Sequence, residues 1–152
     1  MGILGSLDVS ASGLTAQRLR LDIIANNIAN VNSSRSAEGG PYRRRAAIMA
    51  EKASYEAFGG LARMSSGPLG SRSDGSQGVL VTGIVADPSP MRLEYNPGHP
   101  DANSEGYVLM PNVNVVTEMV DMVSATRAYE ANVTALNATK SMAIRALEIG
   151  RS

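Results

Sequence analysis

Two long segments, one at each end of the chain, repeat apolar residues at alternating steps of three and four. This spacing predicts two long helices that pack along a coiled-coil seam. The first helix is expected to end near residues 30–32, and the second to begin after Asn114 and end before Gly150. The seam positions are Leu4, Leu7, Ala11, Leu14, Arg18, Leu21, Ala25 and Ile28 in the first segment, and Val115, Met119, Met122, Thr126, Tyr129, Val133, Leu136, Lys140, Ala143 and Leu147 in the second.

The middle of the chain predicts a small β-rich insertion between the helices. Residues 59–78 are dominated by Gly and Ser, which is typical of a flexible loop. Four short segments with strand patterns surround it: residues 42–49, 79–85, 91–95 and 107–110. The chain therefore divides into an N-terminal helix (1–32), an insertion (33–111) and a C-terminal helix (112–152), a mainly α fold with a small β part.

The two helices carry more apolar surface than one helical hairpin can cover. An ordinary helix bundle is the alternative, but the sequence predicts no third long helix to complete it. We therefore expect the seams to pack against other subunits. The predicted interface residues are Leu7, Leu14, Leu21, Asn26, Asn27, Ile28, Met119, Met122, Tyr129, Val133, Leu136 and Leu147.

The first half of the N-terminal helix is rich in weak helix formers. A glycine inside a helix costs about 1 kcal/mol relative to alanine, and short isolated helices are marginal in water. We predict that this segment is largely disordered in the monomer and folds on assembly. The residues concerned are Gly5, Ser6, Ser10, Ser12, Gly13 and Thr15.

Two amides sit inside the predicted N-terminal helix, where asparagine is a poor helix former. They are Asn26 and Asn27, and they are followed by Asn30 and Asn32 at the end of the helix. The last of these is suited to capping. A buried amide between helices can fix their register, and we expect Asn26 and Asn27 to do so.

Candidate catalytic and metal-binding groups are few. There is no cysteine, and the single histidine, His99, is expected to be structural within a turn because zinc needs several ligands. Residues 101–106 resemble the first half of a calcium-binding loop, but Asn112 stands where a bidentate glutamate is required. We predict a non-enzymatic protein with no cofactor and no metal.

The charge pattern argues against nucleic acid and membrane partners. Fourteen basic residues balance 14 acidic ones, so a DNA-binding coiled coil is disfavoured. The cluster Arg43, Arg44 and Arg45 has no aromatic platform beside it, and we predict a solvated face or salt bridges to other subunits. No apolar run approaches the ~20 residues of a membrane span, and no basic segment at the N-terminus suggests a cleaved secretory signal.

Several sequence runs resemble the flagellar rod and hook (axial) protein family. The run LDIIANNIANVN at residues 21–32 is similar to its N-terminal motif. The C-terminal half is similar to a basal-body rod subunit of that family; the runs are YNPGHPDA at 95–102, EGYV at 105–108, PNVN at 111–114, EMVDM at 118–122 and ATRAYEAN at 125–132. Residues 33–78 depart from the family pattern. In that pattern the asparagine at the end of the motif is followed by Thr-Pro-Gly-Tyr, whereas in this chain Ser-Ser-Arg follows it and Gly40, Pro41 and Tyr42 come later.

This resemblance implies a structural subunit of the proximal rod that transmits torque. Such subunits leave the cell through the type III export apparatus without a cleaved signal and assemble in the periplasm, with both terminal helices in the inner tube of a helical shaft. The implied partners are other copies, sibling rod proteins, the adaptor between rod and membrane ring, and the export apparatus. The alternatives are a sister proximal rod subunit and, in another class, a peptidoglycan-cleaving enzyme at the rod.

Overall fold

Two long antiparallel helices form the body of the protein. The computed structural model describes residues 3–36, 39–52 and 78–150. Helix α1 spans Ile3–Ala29 and helix α2 spans Val115–Ile149. As predicted, Asn114 caps α2: its Oδ1 accepts hydrogen bonds from the backbone N–H of the second and third residues of the helix, at 3.0 and 3.3 Å. A mainly helical fold with a small β part is thus confirmed.

The insertion contains two separate two-stranded antiparallel sheets. Strand β1 pairs with β2, and β3 pairs with β4. The strands are β1 (Arg45–Glu51), β2 (Val79–Ala86), β3 (Arg92–Tyr95) and β4 (Tyr107–Met110). The last coincides with its predicted segment. Strand β1 begins later than predicted because its first expected residues bond elsewhere. The N–H of Tyr42 donates to the carbonyl oxygen of Ser33, and the N–H of Arg44 donates to the Oδ1 of Asn112, so neither N–H pairs with β2. The predicted flexible loop, apart from Gly78, lies outside the described residues.

The core is small for two helices of this length. Among the described residues, the buried apolar side chains are Ala16, Ile23, Ile24, Val108, Val113 and Ala125. Two polar side chains, Asn27 and Glu118, are buried more deeply than most of them. In the same parts of the chain, 17 large apolar side chains are exposed. The described residues therefore leave more large apolar groups outside than they enclose.

Small residues in the first half of α1 permit close packing. A Cβ atom added at Gly13 would lie 2.9 Å from the Nδ2 of Asn132 on α2. The hydroxyl of Ser12 accepts a hydrogen bond from the N–H of Val79 at 3.0 Å and donates one to the carbonyl oxygen of Val9 at 2.7 Å. The residues that weaken this helix locally are thus the ones that let α2 and β2 approach it.

We expect Gly78→Ala to lower the free energy of unfolding by about 1–3 kcal/mol, the usual range for an overpacked contact. The new Cβ would overlap the Ser12 hydroxyl and displace it from both of its hydrogen bonds. Urea unfolding of the assembled protein measures the loss, because the first half of α1, which contains Ser12, is expected to be ordered only after assembly. Gly83→Ala in strand β2 is the matched control, because a Cβ there meets open space. Equal losses in the two variants would contradict this account of the contact.

Candidate functional site

A side-chain amide of α1 acts as a strand partner for the start of β1. The Nδ2 of Asn27 donates to the carbonyl oxygen of Arg45 at 2.8 Å, and the Oδ1 of Asn27 accepts from the N–H of Arg45 at 3.0 Å. A residue on a neighbouring antiparallel strand exchanges the same two bonds with the residue opposite. Asn27 therefore attaches the first residue of β1 directly to the helix pair.

Two further side chains use the remaining hydrogen-bonding capacity of the Asn27 amide. The hydroxyl of Tyr42 donates to Oδ1 at 2.9 Å, and Nδ2 donates to the Oε2 of Glu118 at 2.9 Å. An amide has two donor hydrogens and two acceptor lone pairs, so all four are in use. Burial raises the pKa of Tyr42; the charge of Arg45 opposes this shift and that of Glu118 adds to it. The hydroxyl therefore remains a donor at neutral pH.

Glu118 is fully buried and pairs with Arg44. The Nε of Arg44 lies 2.6 Å from the Oε1 of Glu118, and its other nitrogens lie 3.7 Å from Asp87 and 3.6 Å from Asp121. Burial disfavours the charged guanidinium and acts to lower the pKa of Arg44. The hydrogen bond and charge of Glu118, together with the charges of the two aspartates, outweigh burial and raise this pKa. We call Asn27, Tyr42, Arg44 and Glu118 the polar junction.

The prediction for the basic cluster is corrected by this geometry. Arg44 was expected on a solvated face or in a salt bridge to another subunit, but its three carboxylate partners belong to its own chain. Arg43 and Arg45 are exposed, and the guanidinium of Arg45 lies 5.8 Å from the centre of the Tyr42 ring. The difference arises because β1 begins only at Arg45, so Arg43 and Arg44 precede the strand in which they were predicted to lie.

The carboxylate of Glu118 is fully paired within the polar junction. Both carboxylate oxygens of Glu118 accept hydrogen bonds, one from Arg44 and one from Asn27. Its side chain has no exposure to solvent. A buried polar network whose groups are all paired rigidifies the structure and specifies one arrangement of it.

A second polar cluster joins the segment after α1 to the hairpin of β3 and β4. The carboxylate of Asp101 accepts a hydrogen bond from the Ser34 hydroxyl at 2.8 Å and pairs with Arg35. The hydrogen bond from Ser34 lowers the pKa of Asp101. A smaller effect of burial opposes this shift, and Arg35 adds to it. His99 lies in the turn, as predicted, and its Nδ1 accepts from the N–H of Asp101 at 3.1 Å. Within the described ranges, no group of three or more His, Asp or Glu could hold a metal ion.

Helix α2 presents a short apolar stripe to solvent. Its members follow the spacing i, i+3, i+4, i+7, which places them along one face of a helix, and they are 52–71% exposed. At 100° per residue this face points away from Ala125, which is fully buried. We call this set the outer stripe; it consists of Val116, Met119, Val120 and Val123, which together line one shallow depression.

The residues predicted to form a subunit interface lie in three different settings. Most are half-buried: Leu7, Leu14, Leu21, Ile28, Met122, Tyr129, Val133 and Leu136. Asn27 is wholly buried inside its own chain. Asn26, Met119 and Leu147 are exposed, and the Nδ2 of Asn26 donates to the carbonyl oxygen of Asp22 in its own helix.

Sequence reasoning missed two parts of this arrangement. The outer stripe has a recognisable signal, because Val116, Val120 and Val123 surround Met119 at helical spacing. The pairing of Glu118 with Arg44 has no local signal, since 74 positions separate the two residues. Glu118 could be assigned only to the first turn of α2.

Both helices match known sequence families. The family described as "Flagella basal body rod protein" matches residues 7–35, and the one described as "Flagellar basal body rod FlgEFG protein C-terminal" matches residues 104–149. Over nearly its whole length the chain is also similar to "Flagellar basal-body rod protein FlgC" of Borreliella burgdorferi, at 49% identity over 98% of each chain. The chain belongs to the FlgC family of flagellar basal-body rod proteins.

Two other proteins of the FlgC family are also similar to this chain over nearly its whole length. The Bacillus subtilis protein is 49% identical over 96% of this chain and 97% of its own, and the Escherichia coli O6:H1 protein is 38% identical over 99% and 100%. Asn27 and Glu118 fall inside the two matched segments, while Tyr42 and Arg44 fall between them. The polar junction thus links the helices that match the rod families to the insertion that lies between them.

Proposed function

We propose that this chain is a structural subunit of the flagellar basal-body rod, placed in its proximal part, where it transmits torque. The observation that carries this proposal is the excess of exposed over buried apolar side chains among the described residues of a chain built on two long helices. Contiguous exposed apolar patches mark surfaces that other proteins cover. The family of its relatives, which are named as rod proteins, identifies the assembly.

In this proposal the two helices pack with those of neighbouring subunits into the wall of a helical tube, and the insertion lies outside. Torque must then pass between the helices and the insertion. The polar junction supports this role because Asn27 fastens β1 to α1 through two backbone hydrogen bonds, and Arg44 binds the same region to α2 through Glu118. Paired buried groups resist shear better than a flexible linker would.

The proposed partners are other copies of the chain, sibling rod proteins and the adaptor between rod and membrane ring. The proposed route is export through the type III apparatus without a cleaved signal, followed by assembly in the periplasm. No helix in the described part of the chain is both long enough and apolar enough to cross a membrane. A sister subunit of the proximal rod is disfavoured by the nearly full-length similarity to FlgC proteins.

A non-enzymatic role is part of the proposal, and a peptidoglycan-cleaving enzyme is the alternative class. Such an enzyme would need a reactive carboxylate or a metal in a groove open to substrate. The buried carboxylate that the structure describes, Glu118, is enclosed by Arg44 and Asn27. Purified chain incubated with cell-wall sacculi is expected to release no soluble fragments, and fragment release above the buffer control would favour the enzyme.

We expect the first half of α1 to be unprotected in the monomer. Its Ser and Gly residues weaken the helix locally, whereas the polar junction holds only the end of α1 around Asn27. Hydrogen exchange of the monomer should therefore show fast exchange for amides of residues 5–13 and slower exchange near residues 23–29. Strong protection of residues 5–13 in the monomer would contradict folding on assembly.

Deleting the gene in the source bacterium tests the proposed function. The deletion strain is expected to be non-motile and to carry no hooks, and a plasmid copy of the native gene is expected to restore both. Swimming in soft agar and electron microscopy of the cell surface are the measurements. Normal swimming with intact hooks in the deletion strain would refute the proposal.

A further inference from the structure

One face of the sheet formed by β3 and β4 is apolar and exposed. In antiparallel strands, directly opposed side chains lie on the same face, and so do side chains two positions apart. Leu93 is opposed by Leu109, and Tyr95 is opposed by Tyr107, so these four side chains share one face. They are between 41% and 65% exposed. We call these four residues the aromatic face.

The ring of Tyr95 is held in position by its neighbours. Its centre lies 5.2 Å from the centre of the Tyr107 ring at an interplanar angle of 65°, an edge-to-face arrangement that stabilises aromatic pairs. The ring also lies against the turn between the strands, because a Cβ atom added at Gly106 would be 2.9 Å from the Cε2 of Tyr95. Tyr95 is nevertheless 65% exposed. A flat apolar surface is therefore in place before any partner binds.

A cleft of about 300 Å³ lies beside the aromatic face. Three residues of that face line it together with Arg35, Asp101 and Asn103. The Oδ1 of Asn103 accepts hydrogen bonds from two backbone N–H groups, at 3.0 and 2.8 Å, and this orients its amide nitrogen as a donor. The side chain of Arg35 pairs with Asp101 and is 77% exposed. The cleft thus combines apolar surface with hydrogen-bond donors that are already oriented.

The geometry of this surface favours one of the common kinds of peptide partner. A strand that joins a sheet needs free backbone groups at the edge, but at Tyr107 both groups bond to Asn103: its N–H donates to Oδ1, and its carbonyl oxygen accepts from the N–H. A helix packs through rows of side chains spaced three or four residues apart, whereas the aromatic face has two residues on each of two strands. Aromatic-lined grooves bind proline-containing segments. Proline also has no N–H, so its backbone offers only an acceptor to the donors of the cleft.

The described part of the chain has one segment of exposed prolines outside this surface. Pro88 and Pro90 are exposed, as is Ser89 between them. The Nδ2 of Asn112 donates to the carbonyl oxygens of Asp87 and Ser89, both at 3.2 Å, and so holds the segment in place. We call Pro88, Ser89 and Pro90 the proline bend. The other described prolines line the cleft, lie in the turn between β3 and β4, or are buried; they are Pro41, Pro97, Pro100 and Pro111.

We propose that the proline bend of one copy of this chain packs on the aromatic face of the next copy. The proline rings lie against the ring of Tyr95, and their carbonyl oxygens accept hydrogen bonds from Arg35 and Asn103. The proposal rests on the proposed function, because only an assembly of many copies brings these surfaces together. A contact between two different surfaces is heterologous and propagates, whereas the aromatic face pairing with its own counterpart would close a two-fold dimer. Both surfaces are held in shape beforehand, which lowers the entropic cost of the contact.

Photocross-linking in assembled basal bodies tests this contact. The source bacterium is made to insert p-benzoylphenylalanine in place of Tyr95, which keeps an aromatic ring at this position, and isolated basal bodies are irradiated. Denaturing gels should show dimers of the chain, in which mass spectrometry finds residue 95 linked to residues 87–91 of a second copy. The control carries the same probe at Leu80, which is 51% exposed on the other sheet. We expect at least ~10-fold less linkage to residues 87–91 from it, because only a seated contact raises the local concentration of that segment.

A second variant tests the prolines themselves. Pro88→Ala and Pro90→Ala are combined with the probe at position 95, and the yield of this link should fall at least ~10-fold, as expected when the central anchors of a contact are truncated. An unchanged yield would overturn the proposal.

The partner that is linked decides the remaining outcomes. Links from residue 95 to β3 or β4 of a second copy would indicate a two-fold contact and overturn the proposal, and so would links mainly to a different protein. A strain that swims and carries hooks but gives no linked dimers would overturn it while leaving the proposed rod function intact. If the strain with the probe at Tyr95 fails to swim, the probe at Leu93 replaces it with the same expected results.

Discussion

Replacing Glu118 with alanine is expected to lower the free energy of unfolding by about 3–5 kcal/mol, the usual result of removing one partner from a buried ion pair. The substitution leaves the guanidinium of Arg44 without its 2.6 Å partner and one Nδ2 hydrogen of Asn27 without an acceptor. Urea unfolding of the purified monomer, followed by circular dichroism, measures the loss. Tm should fall in parallel.

The matched control is Glu130→Ala, an exposed glutamate on the same helix, which should change stability by less than about 0.5 kcal/mol. A second comparison separates the pair from the single charge. If Arg44→Met is combined with Glu118→Leu, the double variant should be more stable than the sum of the two single losses predicts, because the buried carboxylate is then not left without its guanidinium partner. A loss below about 1 kcal/mol for Glu118→Ala would contradict the view that this pair anchors the helices.

Asn27→Ala is expected to have a similar effect, about 3 kcal/mol or more, because one buried and three part-buried polar groups lose their partner at once, and an unpaired buried group costs about 1–3 kcal/mol. These groups are the N–H and carbonyl of Arg45, the Tyr42 hydroxyl and one oxygen of Glu118. The N–H of Arg45 should also exchange its hydrogen much faster than in the native chain. Urea unfolding and amide exchange measured on the same samples test both expectations.

The neighbouring amide provides the control for this substitution. Asn26 is exposed and donates only to a carbonyl of its own helix, so Asn26→Ala should be nearly neutral or slightly stabilising, given the higher helix propensity of alanine. Asn27→Asp should be at least as damaging as Asn27→Ala, because a second carboxylate would face Glu118 and could not donate to it. Equal stability of the Asn26 and Asn27 variants would contradict the assigned role of the polar junction.

The helices and the approximate positions of the four strands could be predicted because their signals are local. Apolar spacing indicated both helices, Asn114 marked the start of α2, and alternating or β-branched runs indicated the strands. The end of α1 at Ala29 agrees with an amide-rich segment that begins to favour turns. These features depend on neighbours within a few positions, so one sequence is enough to find them.

The polar junction could not be predicted because its members lie far apart along the chain. Asn27 contacts Glu118 across 91 positions and Arg45 across 18. The sequence indicated that an amide here is unusual in a helix, and it suggested that a buried amide fixes helix register. It did not indicate that the amide pairs with a strand, since that depends on how β1 returns to α1. The sides of α2 were likewise assigned to one seam, whereas the structure has Met122 half-buried and Met119 on the outer stripe.

Quantitative mass spectrometry of purified hook–basal bodies from the source bacterium tests the central claim most directly. If the chain is a structural rod subunit, it should co-purify with the rod and hook proteins in a constant ratio, and it should remain after washes that remove loosely bound proteins. Particles from a strain that carries Glu118→Ala should contain less of it, and those from the Glu130→Ala strain should not. Recovery of the native chain only in the soluble fraction, with complete hook–basal bodies that lack it, would contradict the account.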